Sequence, residues 1–239
     1  MKAIGSCQHP IIARPRARML IAAGAAAVVL SGAAAFAPWG PDALALTEYS
    51  TPAITLAGGN PVIAIQTSHD GLQFYRRQSG TDTWRGEPVA GNQSTYSAPS
   101  IAQDGSSVII AAQGPDNSLD FYWELNGTTQ WHPETIPGAD AVSAPSITTY
   151  SDADGQDWAD VVVQGPIDGL LNFVNANGSG TWLSQAVSDF PIFNAGSAPT
   201  VIGNNGTENI AAFGASGNLL FYGPDRNGVW RQQVVSRVT

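Results

Sequence analysis

From Ser50 onward the apolar positions come in short bursts separated by turn residues, and nowhere hold a 3.6-residue period over the length of a helix. The clearest unit runs from 97 to 137. SAPSIA opens it, and Asp104-Gly105 is a hairpin turn signal. VIIAAQ (108–113) is a near-continuous apolar run, as expected of a strand covered on both faces. Gly114-Pro115-Asp116-Asn117 breaks that run. LDFYWEL (119–125) is aromatic-rich and reads as a third strand. Asn126-Gly127 then turns the chain into a fourth, WHPETI (131–136). The pattern predicts four short strands and almost no helix.

That unit is written four times. Its proline falls at Pro52, Pro99, Pro145 and Pro199, spaced 47, 46 and 54 residues apart. SAPSI stands at Ser97–Ile101 and again at Ser143–Ile147, with SAPTV at Ser197–Val201 and STPAI at Ser50–Ile54. Fourteen residues past the proline come Gln66, Gln113 and Phe213; the third copy reaches Gln164 after nineteen, so it holds a five-residue insertion. An L-x-F segment follows at Leu72–Phe74, Leu119–Phe121, Leu171–Phe173 and Leu219–Phe221. A glycine turn then leads to Trp84, Trp131, Trp182 or Trp230, and three residues on stands Glu87, Glu134, Gln185 or Gln233. Repeats of this length, each of four strands with both faces covered, are blades of an all-β propeller. The blades span about 50–90, 97–137, 143–188 and 197–236. Proline is expected to start the innermost strand, where its missing N–H costs least, and the tryptophans to pack between blades. Four copies predict a closed four-bladed ring in a monomer. The alternative is a half-ring completed by a second chain about a two-fold axis, because terminal repeats need a partner for their apolar faces.

Residues 1–45 stand outside the repeat. Lys2, Arg14, Arg16 and Arg18 precede an apolar run from Met19 to Ala37, and Ala43-Leu44-Ala45 is a small-x-small cleavage site. This is the layout of a signal peptide, with an uncleaved N-terminal membrane anchor as the alternative. Either way 46–239, the propeller domain, is expected outside the cell, secreted or anchored. The one cysteine, Cys7, lies in the leader, so the exported part has no disulfide or thiol chemistry. Ten Lys and Arg oppose nineteen Asp and Glu; without the leader's four basic residues and Asp42, six oppose eighteen. So acidic a chain lacks the basic footprint that nucleic acid or an anionic membrane surface requires.

A sugar needs a flat aromatic face beside planar hydrogen-bonding groups. Trp84 with Glu87 and Trp131 with Glu134 offer both, and Trp123 and His132 add aromatic surface in the second blade. On a regular strand, however, positions i and i+3 face opposite sides, so each pair converges only if its strand bends. The alternative is that both glutamates are solvated charges guarding the outer strand. In the third copy's insertion Asp152, Asp154, Asp157 and Asp160 surround Gly155 just before an apolar run. Alternating carboxylates in a tight loop can supply oxygens to calcium; a solvated acidic hairpin is the other reading. No nucleophile motif accompanies His69 or His132, and the eighteen acids offer no distinctive pair for glycoside hydrolysis, so catalysis is not expected and a glycosidase is the enzymatic alternative. No cofactor is called for beyond that calcium.

The succession S-A-P-S-I, D-G, V-I-I-A-A-Q-G-P-D, L-D-F-Y-W and G-x-x-x-W-x-x-E resembles the blade repeat of bacterial PLL-like propeller lectins over Thr51–Val235. It is similar, more loosely, to tachylectin-type and fungal fucose-lectin propellers. The resemblance implies sugar binding in shallow pockets between adjacent blades, without catalysis. The repeated arginine of the fucose lectins is not matched: Arg85 and Arg231 follow Trp84 and Trp230, whereas His132 and Leu183 fill the equivalent places. The functional expectation is an exported, non-enzymatic carbohydrate-binding propeller; an envelope or extracellular protein-interaction propeller without a sugar site is the alternative.

Overall fold

The computed structural model describes residues 50–125, 128–166, 169–176, 180–188, 197–204, 206–214 and 217–236. The leader with its cleavage site, and the Asn126-Gly127 and Gly178 turns, lie outside the described residues. The described residues form sixteen strands in four antiparallel sheets, each built from consecutive strands. Blade 1 holds β1 (Ala53–Ala57), β2 (Asn60–Gln66), β3 (Leu72–Arg77) and β4 (Trp84–Ala90). Blade 2 holds β5 (Ser100–Asp104), β6 (Ser107–Gln113), β7 (Leu119–Leu125) and β8 (Trp131–Thr135). Blade 3 comprises β9 (Ser146–Ser151), β10 (Asp157–Gln164), β11 (Leu170–Ala176) and β12 (Trp182–Ser188). Blade 4 comprises β13 (Thr200–Asn204), β14 (Thr207–Phe213), β15 (Leu219–Pro224) and β16 (Trp230–Ser236). Gly105 turns β5 into β6 at φ +55°, and the only helical segment among the described residues is a 3-10 turn at Pro115–Asn117.

The recurring SAPSI phrase is explained by its hydroxyls. The strand begins at the second serine rather than the first. The first serine closes its own blade: Ser97 Oγ accepts the Gln113 N–H at 3.1 Å, and Ser143 Oγ that of Gln164 at 3.0 Å. The second reaches the next blade: Ser100 Oγ accepts from the Ile147 N–H and Ser146 Oγ from Val201, both at 3.0 Å. This second pair of bonds satisfies inner-strand N–H groups that have no strand on that side. The repeated glutamine ties the linker to the following blade, Gln66 to the Thr95 carbonyl at 2.7 Å and Gln113 to that of Ala141 at 2.6 Å. Inner strands approach closely here; a Cβ on Gly203 would lie 2.9 Å from the Thr149 carbonyl oxygen.

Apolar residues gather into three clusters, one at each junction between successive blades. Phe74 of blade 1 meets the edge of Trp131 of blade 2 at 5.1 Å, and Phe121 meets Trp182 of blade 3 at 4.9 Å. Trp131, Trp182 and Trp230 therefore pack between blades, as expected. The inner strands pack in the order β1, β5, β9, β13, but β13 does not pack back on β1 among the described residues. The expected closed ring of four is therefore not formed. The blades make an arc whose two end faces are uncovered, with Ile54 67% exposed at one and Ile202 63% exposed at the other.

One repeat marker moves by a residue. Gln164 pairs with Leu170, as Gln113 pairs with Leu119, so Leu170 and not Leu171 continues the series. Asn172 then occupies the position of Phe74 and Phe121, and Phe173 that of Tyr122. The local L-x-F match was fortuitous; the strand pairing sets the register.

Candidate functional site: the grooves between blades

The sequence pairs Trp84–Glu87 and Trp131–Glu134 do not form within a strand. Glu134 is bonded across a blade junction instead. Trp182 Nε1 of blade 3 donates to Glu134 Oε1 of blade 2 at 2.9 Å. Here the glutamate meets the tryptophan of the next copy, not its own. Trp84 belongs to the first blade, has no preceding blade to pack on, and is 38% exposed. Trp123 and His132 stack within blade 2, centroids 4.0 Å apart and 15° from parallel.

Between blades 2 and 3 lies an open groove of about 480 Å³. Ile109, Phe121 and Trp123 give it an apolar wall from blade 2, and Ala159 closes the blade 3 side. Polar groups sit around that wall: Asp104 and Ser107 on one side, Glu134 and Asn175 on the other. Burial, and then the neighbouring Asp157, push the Asp104 carboxyl above its usual range. An aromatic surface ringed by carboxylates, a hydroxyl and an amide is the surface a neutral polyol requires. Trp123, His132 and Glu134 were legible as aromatic and acidic residues in one blade. Asp104, Ser107 and Asn175 were not, since hairpin residues and a residue of the following blade carry no local signal.

The junction of blades 1 and 2 uses the same positions differently. Arg76 pairs with Glu124 at 2.6 Å, the glutamate being fully buried, and its guanidinium lies 5.1 Å from the Phe74 ring centroid. Thr129 N–H donates to the other Glu124 oxygen at 2.9 Å. Glu87 Oε1 and Trp131 Nε1, the counterparts of the bonded Glu134 and Trp182 atoms, are both buried without a partner. Arginine, carboxylate and indole N–H thus line one junction, with two polar atoms unsatisfied.

The four aspartates of the third copy are not brought together. Asp152 organises its own turn, accepting from the N–H groups of Asp154 and Gln156 at 3.0 and 2.9 Å and from Trp158 Nε1 at 2.9 Å. Those bonds, Trp158 foremost, hold its carboxyl below the usual range. Asp154 is exposed, and Asp157 accepts a hydrogen bond from the Ser151 hydroxyl at 2.5 Å. Among the described residues no group of three acidic, histidine or cysteine side chains is placed to hold a metal. The expected calcium loop is replaced by an Asx-type turn. Asp160 stands apart, fully buried on β10 at the junction with blade 4, and its carboxyl is pushed up to about 8 by burial and then by Glu208.

Four-stranded blades packed one on the next define the fold as that of a β-propeller. No family model matches the chain, and no curated protein matches it. Solved structures do. A mutant of AofleA from Arthrobotrys oligospora is 19% identical over 80% of this chain and 58% of its own, with a TM-score of 0.63. Aleuria aurantia lectin in complex with Fucalpha1-6GlcNAc is 13% identical over 80% of this chain and 66% of its own, with a TM-score of 0.62. Another structure of Aleuria aurantia lectin, described as a six-bladed β-propeller, gives 13%, 78%, 64% and 0.56. At these identities the likeness is one of fold. The chain spans less than two thirds of the length of these proteins.

Proposed function

We propose that this chain is an exported, non-enzymatic propeller that binds carbohydrate in the grooves between its blades. The observation that carries the reading is the groove between blades 2 and 3, with its Phe121 and Trp123 wall and its flanking Asp104 and Glu134. Support comes from matching solved folds that include a lectin, one structure of it in complex with Fucalpha1-6GlcNAc. The PLL-like pattern of the repeat supports the same class, and the leader-like residues 1–45 support export. Trp123 supplies the stacking face, and Asp104, Glu134 and Asn175 accept or donate to sugar hydroxyls. A single sugar occupying one groove leaves the chain monovalent there; the equivalent junction of blades 1 and 2 offers a second site, where a ligand hydroxyl would satisfy Glu87 and Trp131.

A glycan array on the exported protein, with fucosides included, tests the proposal. Binding is expected to fall at least about tenfold for Trp123→Ala, the loss of one aromatic stacking contact of about 1.4 kcal/mol. Trp84→Ala is expected to leave it unchanged. No binding to any glycan at high micromolar protein removes the lectin reading and favours a protein-interaction role; steady hydrolysis of an aryl glycoside removes the non-enzymatic one.

A further inference from the structure

The junction of blades 3 and 4 departs from the other two in its chemistry. Strand register places Asp160 where Ile109 and Val62 stand in the preceding blades, and Asn172 where Phe121 and Phe74 stand. Blade 4 faces them with Glu208, at the position of Ala159 and Val108. Three apolar positions of a repeated interface have thus become oxygen-bearing together. Asn172 Nδ2 donates to Glu208 Oε1 at 3.3 Å, and the Tyr150 hydroxyl donates to Glu208 Oε2 at 3.4 Å. Asp160 and Asn172 are both fully buried. Yet both carboxylate oxygens of Asp160, and Oδ1 of Asn172, have no hydrogen-bond partner.

Three buried acceptor atoms without a donor are costly, and the charge that bears on Asp160 is Glu208, of the same sign. A proton on Asp160 would remove the repulsion and supply one O–H donor, enough for the Asn172 oxygen but not for the other Asp160 oxygen as well. A cation satisfies all three oxygens at once. Every donor here is a hard oxygen, from two carboxylates, an amide and a phenol, which suits calcium better than a thiolate- or imidazole-seeking metal.

We propose that the buried junction of blades 3 and 4 binds a hard divalent cation, calcium, through Asp160, Glu208 and the Asn172 carbonyl oxygen. The site ties blade 4 to blade 3, so its occupancy is read as stability. It is distinct from the acidic turn at Asp152, whose carboxylate is already spent on its own backbone.

Thermal unfolding of the full exported protein at neutral pH, in EDTA and across a calcium titration with magnesium as comparison, tests it. At a hundredfold excess over Kd, calcium is expected to raise Tm by about 5–10 °C. Asp160→Asn, which removes the charge and keeps the shape, is expected to fold with a Tm in EDTA at or above that of the parent and to show no calcium shift. Asp152→Asn is expected to keep the shift. Terbium luminescence excited through Tyr150 and Trp158 provides a second readout, lost in Asp160→Asn. A parent Tm indifferent to calcium, magnesium and chelator overturns the site, as does a shift that survives Asp160→Asn or vanishes in Asp152→Asn.

Discussion

At the residue scale the repeat's glutamate and tryptophan were visible in the sequence, but their partnership was not. A strand sends i and i+3 to opposite faces, so Glu134 had to find the tryptophan of another copy, Trp182, 48 residues on. No spacing rule within a repeat shows that. Arg76 was missed altogether, because an arginine on a strand carries no signal until Glu124 is seen buried beside it. Its consequence is testable. Arg76→Ala strands a fully buried carboxylate whose other oxygen is held by the Thr129 N–H alone. The expected cost is about 3 kcal/mol, near the lower end for breaking a buried pair because Arg76 keeps some exposure. Adding Glu124→Gln to that variant is expected to recover part of it. Urea midpoints measure both; a loss for Arg76→Ala under about 1 kcal/mol would show that the pair behaves as a surface one.

The elements were largely legible, since turn residues and apolar bursts recur at fixed distances. All four blades fall where the prolines place them, and the hairpin at Gly105 forms as its Asp-Gly signal predicts. What failed was register in β11, where Leu170 and Leu171 both match the local pattern and only the pairing with Gln164 selects between them. The purpose of the second serine in SAPSI also lay beyond the sequence, because its partner is an N–H of the next blade. Ser100→Ala and Ser146→Ala are each expected to cost about 1–2 kcal/mol by orphaning the Ile147 or Val201 N–H. The two act at different junctions, so the double variant is expected to be additive within about 0.5 kcal/mol. Differential unfolding of the four proteins checks this; neutral single variants would mean that water replaces the hydroxyl without loss.

On the scale of the whole molecule, the sequence counted the blades correctly and misjudged their closure. Blade number follows from a period, whereas closure depends on the angle between blades, which no residue pattern states. The two uncovered faces are not alike. Within the arc, the first two junctions seat the tryptophan of one blade against the phenylalanine of the blade before it, and the second also bonds it to that blade's glutamate. Blade 1 carries an unseated Trp84 beside exposed Ile54 and Leu56. Blade 4 carries the opposite half, Phe221 and Gln233, with Ile202 and Val235 exposed and Phe213 45% exposed where the repeat's linker-binding glutamine would stand. Contiguous apolar surface of this kind is rare on a soluble monomer. A blade 4 face is complementary to a blade 1 face, while like faces would set tryptophan against tryptophan and leave the phenylalanine seat empty. Association of copies is therefore expected to run head to tail, through blade 4 of one and blade 1 of the next. Sedimentation of the exported protein from nanomolar to high micromolar concentration should show mass rising above the monomer. Ile54→Asp and Ile202→Asp should each stay monomeric alone, yet pair with one another when mixed, as a dimer that grows no further, because each retains the face the other has lost. A protein that stays monomeric throughout, or a mixture of the two variants that does not associate, would rule out this complementarity.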